Sequence, residues 1–251
     1  MSPVELSEQA KHKKSLLCVG LDPSAEALPP EIWQAGKKDP KAIYEYLTYV
    51  IQETLPYAIA YKLNTAFYER WGEKGWRMLH QLRQSLPKEV LVIADAKRGD
   101  IAHTNSYYAR AFFEELGFDA ITANPFLGWE ALSPFLAWEG RWVFVLLRTT
   151  EAAGWQKKIW RYILRERPLE AEAFIGWVWG AHHSRRLHTL RIKCPQDWLL
   201  IPGVGAQGGK ISHYVPLFPA LIGVGRALLQ AAHPSTAAQE WATYTASFIP
   251  L

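Results

Sequence analysis

VLVIADAKRGDIAHTNSYYARAFFEELG, residues 90–117, reads as a strand that passes into a helix. Its opening, VLVIADAK (90–97), is apolar almost without interruption, the pattern of a strand covered on both faces and therefore of a parallel sheet. Charge gathers only at the end of the run. TNSYYARAFFEELG then has the length of a helix, with Gly117 placed to close it as a C-cap. Outward from this stretch the same rhythm recurs in LLCVGLD (16–22), AIAYKLN (58–64), AITANPF (120–126), WVFVLLRT (142–149), GWVWGA (176–181), WLLIPGV (198–204) and LIGVGR (221–226). Segments such as PKAIYEYLTYVIQETL, long enough for a helix, lie between most of them. Eight strand-like runs in 251 residues match an α/β fold of the TIM (β/α)8 barrel type. A doubly wound sheet is the alternative with the same alternation. No Gly/Ser-rich linker or composition shift divides the chain, so residues 1–251 are expected to form a single domain. Within 150–195, TTEAAGWQKKIWRYILRERPLEAEAF reads either as one long helix or as two short ones.

Composition narrows the function. Lys and Arg number 28 against 24 Asp and Glu, a formal charge of +4 spread along the chain, which permits anionic ligands and does not call for nucleic acid. No apolar run approaches the roughly 18 residues of a membrane-spanning helix, and MSPVELSEQAKHKK is not signal-like. A cytoplasmic protein with no membrane partner is expected. Cys18 and Cys194 cannot form a disulfide framework or a thiolate metal cluster and read as plain thiols. The 12 tryptophans are scattered without period, as core and interface filling would scatter them. His182, His183 and His188 stand beside Arg185 and Arg186 without a carboxylate cluster, which reads as a solvated basic helix start and not as a metal site.

In a barrel, chemistry collects at the C-terminal ends of the strands. Asp22, Lys62, Asn64, Asp95, Lys97, Asn124, Gln207 and Arg226 all fall at or just beyond such an end. Asp95 and Lys97, two apart in an extended segment, point to the same side. Asp100 follows the flexible Arg98-Gly99 pair near the start of the next helix. The group reads either as a structural ion pair with Asp100 as a helix cap, or as a lysine between carboxylates able to donate a proton. Lys62 adds a second cation that extends the alternation into a preorganised charged network. PGVGAQGGK (202–210) and GVGRALL (223–229) follow the seventh and eighth runs, where barrels commonly hold phosphate. Their glycines open backbone amides to an anion, Arg226 supplies charge, and a helix starting near Ala227 adds its positive end. Two ordinary Gly-rich turns are the alternative there.

Taken together, LCVGLDPS (17–24), AYKLNTAFYERWG (60–72), DAKRGDIAHT (95–104), ITANPFLG (121–128), IPGVGAQGG (201–209) and VGRALL (224–229) resemble the orotidine 5′-phosphate decarboxylases, in the bacterial branch that carries LCVGLDP. The resemblance spans most of the chain. It implies decarboxylation of orotidine 5′-phosphate to uridine 5′-phosphate, without cofactor or metal, as the last step of de novo pyrimidine nucleotide synthesis. It also implies a homodimer of TIM barrels with shared active sites. By the same resemblance Lys97 corresponds to the lysine that protonates C6, Asp95 to the carboxylate facing the substrate carboxylate, and Lys62 and Asp22 to the ribose-side members of the network. Asp100, Ile101 and Thr104 correspond to the segment that reaches into the neighbouring subunit's site. Gln207 corresponds to the glutamine of the loop closing over phosphate and pyrimidine, and Arg226 to the phosphate-binding arginine. Asn64, Asn124, Pro202 and Gly225 fall in the matched motifs as further substrate-binding positions.

The chain departs from the branch in three places. GWEAL (128–132) stands where an aspartate and a serine are usual, RTTEA (148–152) where a Thr-Ser-Asn-like turn is common, and AHHSRR (181–186) lacks the threonine after its alanine. Two other functions use similar residues. One is a magnesium-dependent sugar-phosphate lyase or aldolase, which would need a carboxylate where the second strand ends in Lys62. The other is a non-catalytic nucleotide-binding protein that keeps the phosphate loops.

Overall fold

The computed structural model describes residues 1–149, 154–204 and 217–250. Every apolar run contains a strand: β1 (Leu17–Gly20), β2 (Ala60–Asn64), β3 (Leu91–Arg98), β4 (Ala120–Ala123), β5 (Trp142–Arg148), β6 (Phe174–Trp179), β7 (Leu199–Ile201) and β8 (Ala220–Val224). The strands are parallel and pair in chain order, and β8 returns to β1 with Cys18 against Gly223. That last pairing decides for the barrel over the doubly wound sheet. Burial on both faces explains the near-continuous apolar runs, since β1, β4, β7 and β8 are buried at every position.

Helices cover the strands with the apolar stripe that the sequence carries. In Lys41–Thr54 the buried residues Ile43, Leu47, Val50 and Ile51 recur at helical spacing. The expected helix after β3 begins as Ala102–Ala109, continues in π-helical turns over Arg110–Glu115, and ends with Gly117 at φ 71°. Among the described residues the stretch after β5 holds one helix of ten residues, Gln156–Arg165, which is neither the one long helix nor the two short ones expected. Pro168 follows it, and residues 167–173 lead without a second helix into β6. Trp142, Trp160, Trp177, Trp179 and Trp198 are fully buried, which is the core-filling role expected of the tryptophans.

β3 leaves the barrel irregularly, and this positions the site. Four residue steps of β3, Ala94 to Arg98, lie against two steps of β4, Ile121 to Ala123. Within this bulge Lys97 adopts a left-handed φ of 49°. A non-glycine residue there costs roughly 1–2 kcal/mol. The segment carrying Asp95 and Lys97 is therefore a bulge and not the plain extended strand of the sequence reading. Gly99 is needed for close approach rather than for flexibility. A Cβ at Gly99 would lie 2.4 Å from the Asn124 carbonyl oxygen, where the Arg98 carbonyl already accepts from the Asn124 N–H at 2.7 Å. Gly99→Ala is expected to lower the melting temperature by about 5 °C, since forcing a methyl into packed backbone costs about 2 kcal/mol in a chain of this size. Calorimetry that found no shift would contradict this account of the turn.

Candidate active site

A cavity of about 450 Å³ opens at the C-terminal end of the barrel. Four of its lining residues form an alternating chain of charge. Lys62, on β2, places Nζ 3.2 Å from Asp22 Oδ2 and 2.9 Å from Asp95 Oδ2. The other Asp95 oxygen meets Lys97 Nζ at 2.6 Å. Thr122 on β4 completes the arrangement, donating its hydroxyl to Asp95 Oδ1 at 3.0 Å while its Oγ1 accepts the Lys97 N–H at 2.9 Å. The bulge at the end of β3 is thus pinned by the same threonine that orients its carboxylate. Asp22 is fixed at its other oxygen, which accepts the Asn64 N–H at 3.0 Å.

Burial and charge oppose each other in this chain. Burial works against the charge on Lys62, yet Asp22 and Asp95 outweigh it and raise the affinity of the amine for its proton. Burial likewise pushes the Asp95 carboxyl upward, but the ammonium groups of Lys62 and Lys97 prevail and hold it well below the usual carboxylate range. Beneath them the Cys18 thiol is pushed up to about 12 by burial, so it stays protonated. The lysine buried between carboxylates is therefore Lys62, with its side chain 8% exposed, and not Lys97, whose side chain is 44% exposed and among the described residues pairs with Asp95 alone. Lys97 lines the cavity, where an ammonium can serve as a proton donor.

The far side of the cavity is formed by the ends of β7 and β8. Pro202, Gly203, Gly225 and Arg226 line it, with Gly203 at φ 86° and the Arg226 side chain exposed. The helix expected to begin near Ala227 is a single turn, Arg226–Leu229, so Arg226 and nearby backbone amides rather than a long helix are available to an anion. Gln207 and Gly205, Gly208 and Gly209 lie outside the described residues.

Of the sequence-derived candidates, Asp22, Lys62, Asn64, Asp95, Lys97, Pro202, Gly225 and Arg226 come together in this cavity. Asp100, Ile101, Thr104 and Asn124 do not line it. Asp100 is exposed and does not cap the helix. Its Oδ1 accepts the neighbouring Ile101 N–H at 2.7 Å, and the buried Asn105 side chain accepts the Asp100 N–H and donates to the Asp100 carbonyl. Asn124 uses its side chain to accept the Phe126 N–H at the start of a short turn. His183 is half-buried rather than solvated, and Trp129 in GWEAL packs edge-on to Trp177. Among the described residues no group of three or more His, Cys, Asp and Glu side chains could hold a metal ion. The Asp22 and Asp95 carboxylates are already bridged by the Lys62 ammonium, which does not suit a magnesium donor set.

Sequence reasoning missed Thr122 and also Ser24, Glu26, Phe67 and Thr149 in the lining. Thr122 had one sequence signal, a hydroxyl inside the otherwise apolar AITA run, but its target depends on the β3 bulge.

Comparison with known proteins bears on the family and the fold. Residues 15–241 match the family described as Orotidine 5′-phosphate decarboxylase / HUMPS family. The chain is 38% identical over 221 residues to an orotidine 5′-phosphate decarboxylase of Dehalococcoides mccartyi, covering 82% of this chain and 78% of the relative. It is 39% identical over 247 residues to the protein of that name from Thermomicrobium roseum, covering 90% and 85%. Its fold superimposes on the UMP synthase of Leishmania donovani with a TM-score of 0.83 at 34% identity, over 97% of this chain and 55% of that longer protein.

Proposed function

The chain belongs to the orotidine 5′-phosphate decarboxylase / HUMPS family, and from that premise we propose how its cavity performs the family reaction. The protein is a carboxy-lyase that converts orotidine 5′-phosphate to uridine 5′-phosphate and CO2, the last step of UMP biosynthesis. The observation that carries the mechanism is the alternating chain Asp22, Lys62, Asp95, Lys97 at one side of a cavity whose other side offers Arg226 and glycine amides.

The substrate phosphate sits against Arg226, Gly203 and Gly225, and its ribose against Asp22, Asn64 and Lys62. This binding, remote from the reacting carbon, positions the orotate carboxylate beside Asp95 and C6 beside Lys97 Nζ. The bond from C6 to the carboxylate breaks, CO2 leaves uncharged, and the electron pair stays on C6. Lys97 passes an Nζ proton to C6, and the amine regains a proton from water. Fixed charges of Lys62 and Lys97 favour the negative charge that develops on the ring, and the repulsion between Asp95 and the substrate carboxylate is relieved as CO2 forms. No cofactor or metal enters any step.

A second copy of the chain completes the site in this reading. Ile101 is 59% exposed beside Asp100, and Tyr107, Phe126 and Leu127 are exposed nearby, an apolar surface suited to a partner barrel. The segment Asp100 to Thr104 then serves the partner's cavity. The enzyme works as one barrel domain in the cytoplasm, where Cys18 and Cys194 remain thiols.

Loss of ultraviolet absorbance of orotidine 5′-phosphate after adding protein in chelator-treated buffer tests this function. The expected rate equals that in untreated buffer. Activity that vanished on chelation and returned with Mg²⁺ would move the assignment to a metal-dependent lyase, and tight uridine 5′-phosphate binding without turnover would move it to a binding protein. Arg226→Ala is expected to raise KM by about a hundredfold, the worth of a charge-assisted contact of some 2–3 kcal/mol, while kcat falls less. An unchanged KM would remove Arg226 from the phosphate site.

A further inference from the structure

Thr149 follows β5 and lines the cavity, and each of its polar groups is held by a residue without an assigned role. Its N–H and its hydroxyl both lie 3.2 Å from Gln156 Oε1, and its carbonyl lies 3.0 Å from His183 Nε2. The chemistry fixes who donates. A backbone N–H can only donate, so the facing atom of Gln156 is its carbonyl oxygen, and the Thr149 hydroxyl must donate to it as well. A carbonyl can only accept, so His183 carries its proton on Nε2, leaving Nδ1 as an acceptor. That bare nitrogen receives Arg148 Nη2 at 3.2 Å.

Arg148 is itself immobilised, 3% exposed and stacked over Trp179 with its guanidinium carbon 5.3 Å from the ring centroid. Burial, and after it the Arg148 charge, lower the affinity of the His183 imidazole for a second proton, in keeping with the bare Nδ1 that faces Arg148. The arrangement joins β5, the first turn of helix Gln156–Arg165 and the 3-10 turn Ala181–Arg186 that follows β6. β5 and β6 are also out of step here, two residues of β5 passing one of β6 between Leu146 and Arg148. Pairing resumes at Arg148 against Trp179, where β5 ends, so Thr149 lies one residue beyond the strand and is held by side chains instead.

We propose that Gln156 and His183 are positioning residues for decarboxylation, which together hold the Thr149 section of the cavity wall in the shape that binds the nucleotide. This rests on the function proposed above. Neither residue lines the cavity, so each acts through Thr149.

Paired substitutions separate positioning from general stability. Gln156→Leu removes the shared acceptor and Gln156→Glu keeps an oxygen in its place. His183→Phe removes donor and acceptor, and His183→Gln supplies both. The measurements are kcat and KM for orotidine 5′-phosphate, Kd for uridine 5′-phosphate and the melting temperature. Gln156→Leu and His183→Phe are expected to raise KM and Kd about tenfold, with kcat changed less than about threefold, as befits one or two lost hydrogen bonds. Gln156→Glu and His183→Gln are expected to recover most of that loss. Unchanged KM and Kd in folded Leu and Phe variants, or equal losses in the Leu and Glu variants, would overturn the proposal. If His183→Phe does not fold, Gln156→Leu, at the half-buried start of its helix, decides alone. Wild type that failed to turn over orotidine 5′-phosphate would overturn the function instead, and the Kd values would still decide the positioning role.

Discussion

Lys97→Ala is expected to lower kcat for orotidine 5′-phosphate by about a thousandfold or more while the protein stays folded. The size follows from two losses at one position. A positioned proton donor is worth roughly 10²–10⁴ in rate, and the variant also loses a cation beside the carbon where negative charge develops. Folding survives because Lys97 is the exposed end of the network. Among the described residues its ammonium has one carboxylate partner, Asp95, and that carboxylate keeps Lys62 at 2.9 Å and the Thr122 hydroxyl at 3.0 Å after the change. Relief of the left-handed φ at position 97 is not gained by alanine, which also disfavours it. A melting temperature within a few degrees of wild type and a retained affinity for uridine 5′-phosphate should accompany the lost turnover. Loss of folding together with activity would instead make Lys97 part of the frame.

Lys62→Ala is expected to fail differently, losing both activity and stability. Lys62 is buried between two carboxylates, and its removal leaves Asp95 and Asp22 facing each other with one cation fewer. Breaking a buried pair in this way costs about 3–5 kcal/mol, or about 10 °C in melting temperature for a chain of this length. The pH dependence distinguishes this from simple loss of packing. Asp95 has a folded pKa below its unfolded value, so its contribution is present above about pH 4 and is lost as pH falls toward the folded value. Lys62 has a folded pKa above its unfolded value, so its contribution is complete below about pH 10 and is lost as pH rises through the folded value. Wild type should therefore show a stability plateau between these limits. The variant should sit lower throughout, with a shallower decline on the alkaline side. A variant as stable as wild type at neutral pH would contradict the account of the network.

The barrel was legible in the sequence because both faces of each strand are buried, so all eight strands are marked by apolar runs that turns and helices interrupt. The ends were less legible. β7 is only Leu199–Ile201 within the run WLLIPGV, since Pro202 lacks an N–H for the ladder and Gly203 turns at φ 86°. The charged half of the site was also readable, because Asp22, Lys62, Asp95 and Lys97 stand at strand ends and a barrel gathers strand ends by construction. What spacing could not assign was which lysine is buried. That depends on the bulge after Ala94, which lifts Lys97 toward the cavity and leaves Lys62 between the carboxylates. Thr122, Gln156 and His183 were invisible for the same kind of reason. Each acts on a residue of another element, and the register between elements is not written in local pattern. His183 in particular stands in a basic stretch that looks solvated, yet the Arg148 beneath it and the Thr149 carbonyl beside it make it half-buried.

The proposed mechanism turns on delivery of the proton to C6 by Lys97. Its most direct measurement is the single-turnover rate of orotidine 5′-phosphate decarboxylation with protein in saturating excess, in chelator-treated buffer, for wild type and Lys97→Ala side by side. Saturation removes binding from the comparison, so only the chemical step is read. Absorbance loss is expected to be at least about a thousandfold slower in the variant, with wild type unaffected by the chelator. A variant rate within about tenfold of wild type would contradict it, and the proton would then have to come from water or from another group in the cavity.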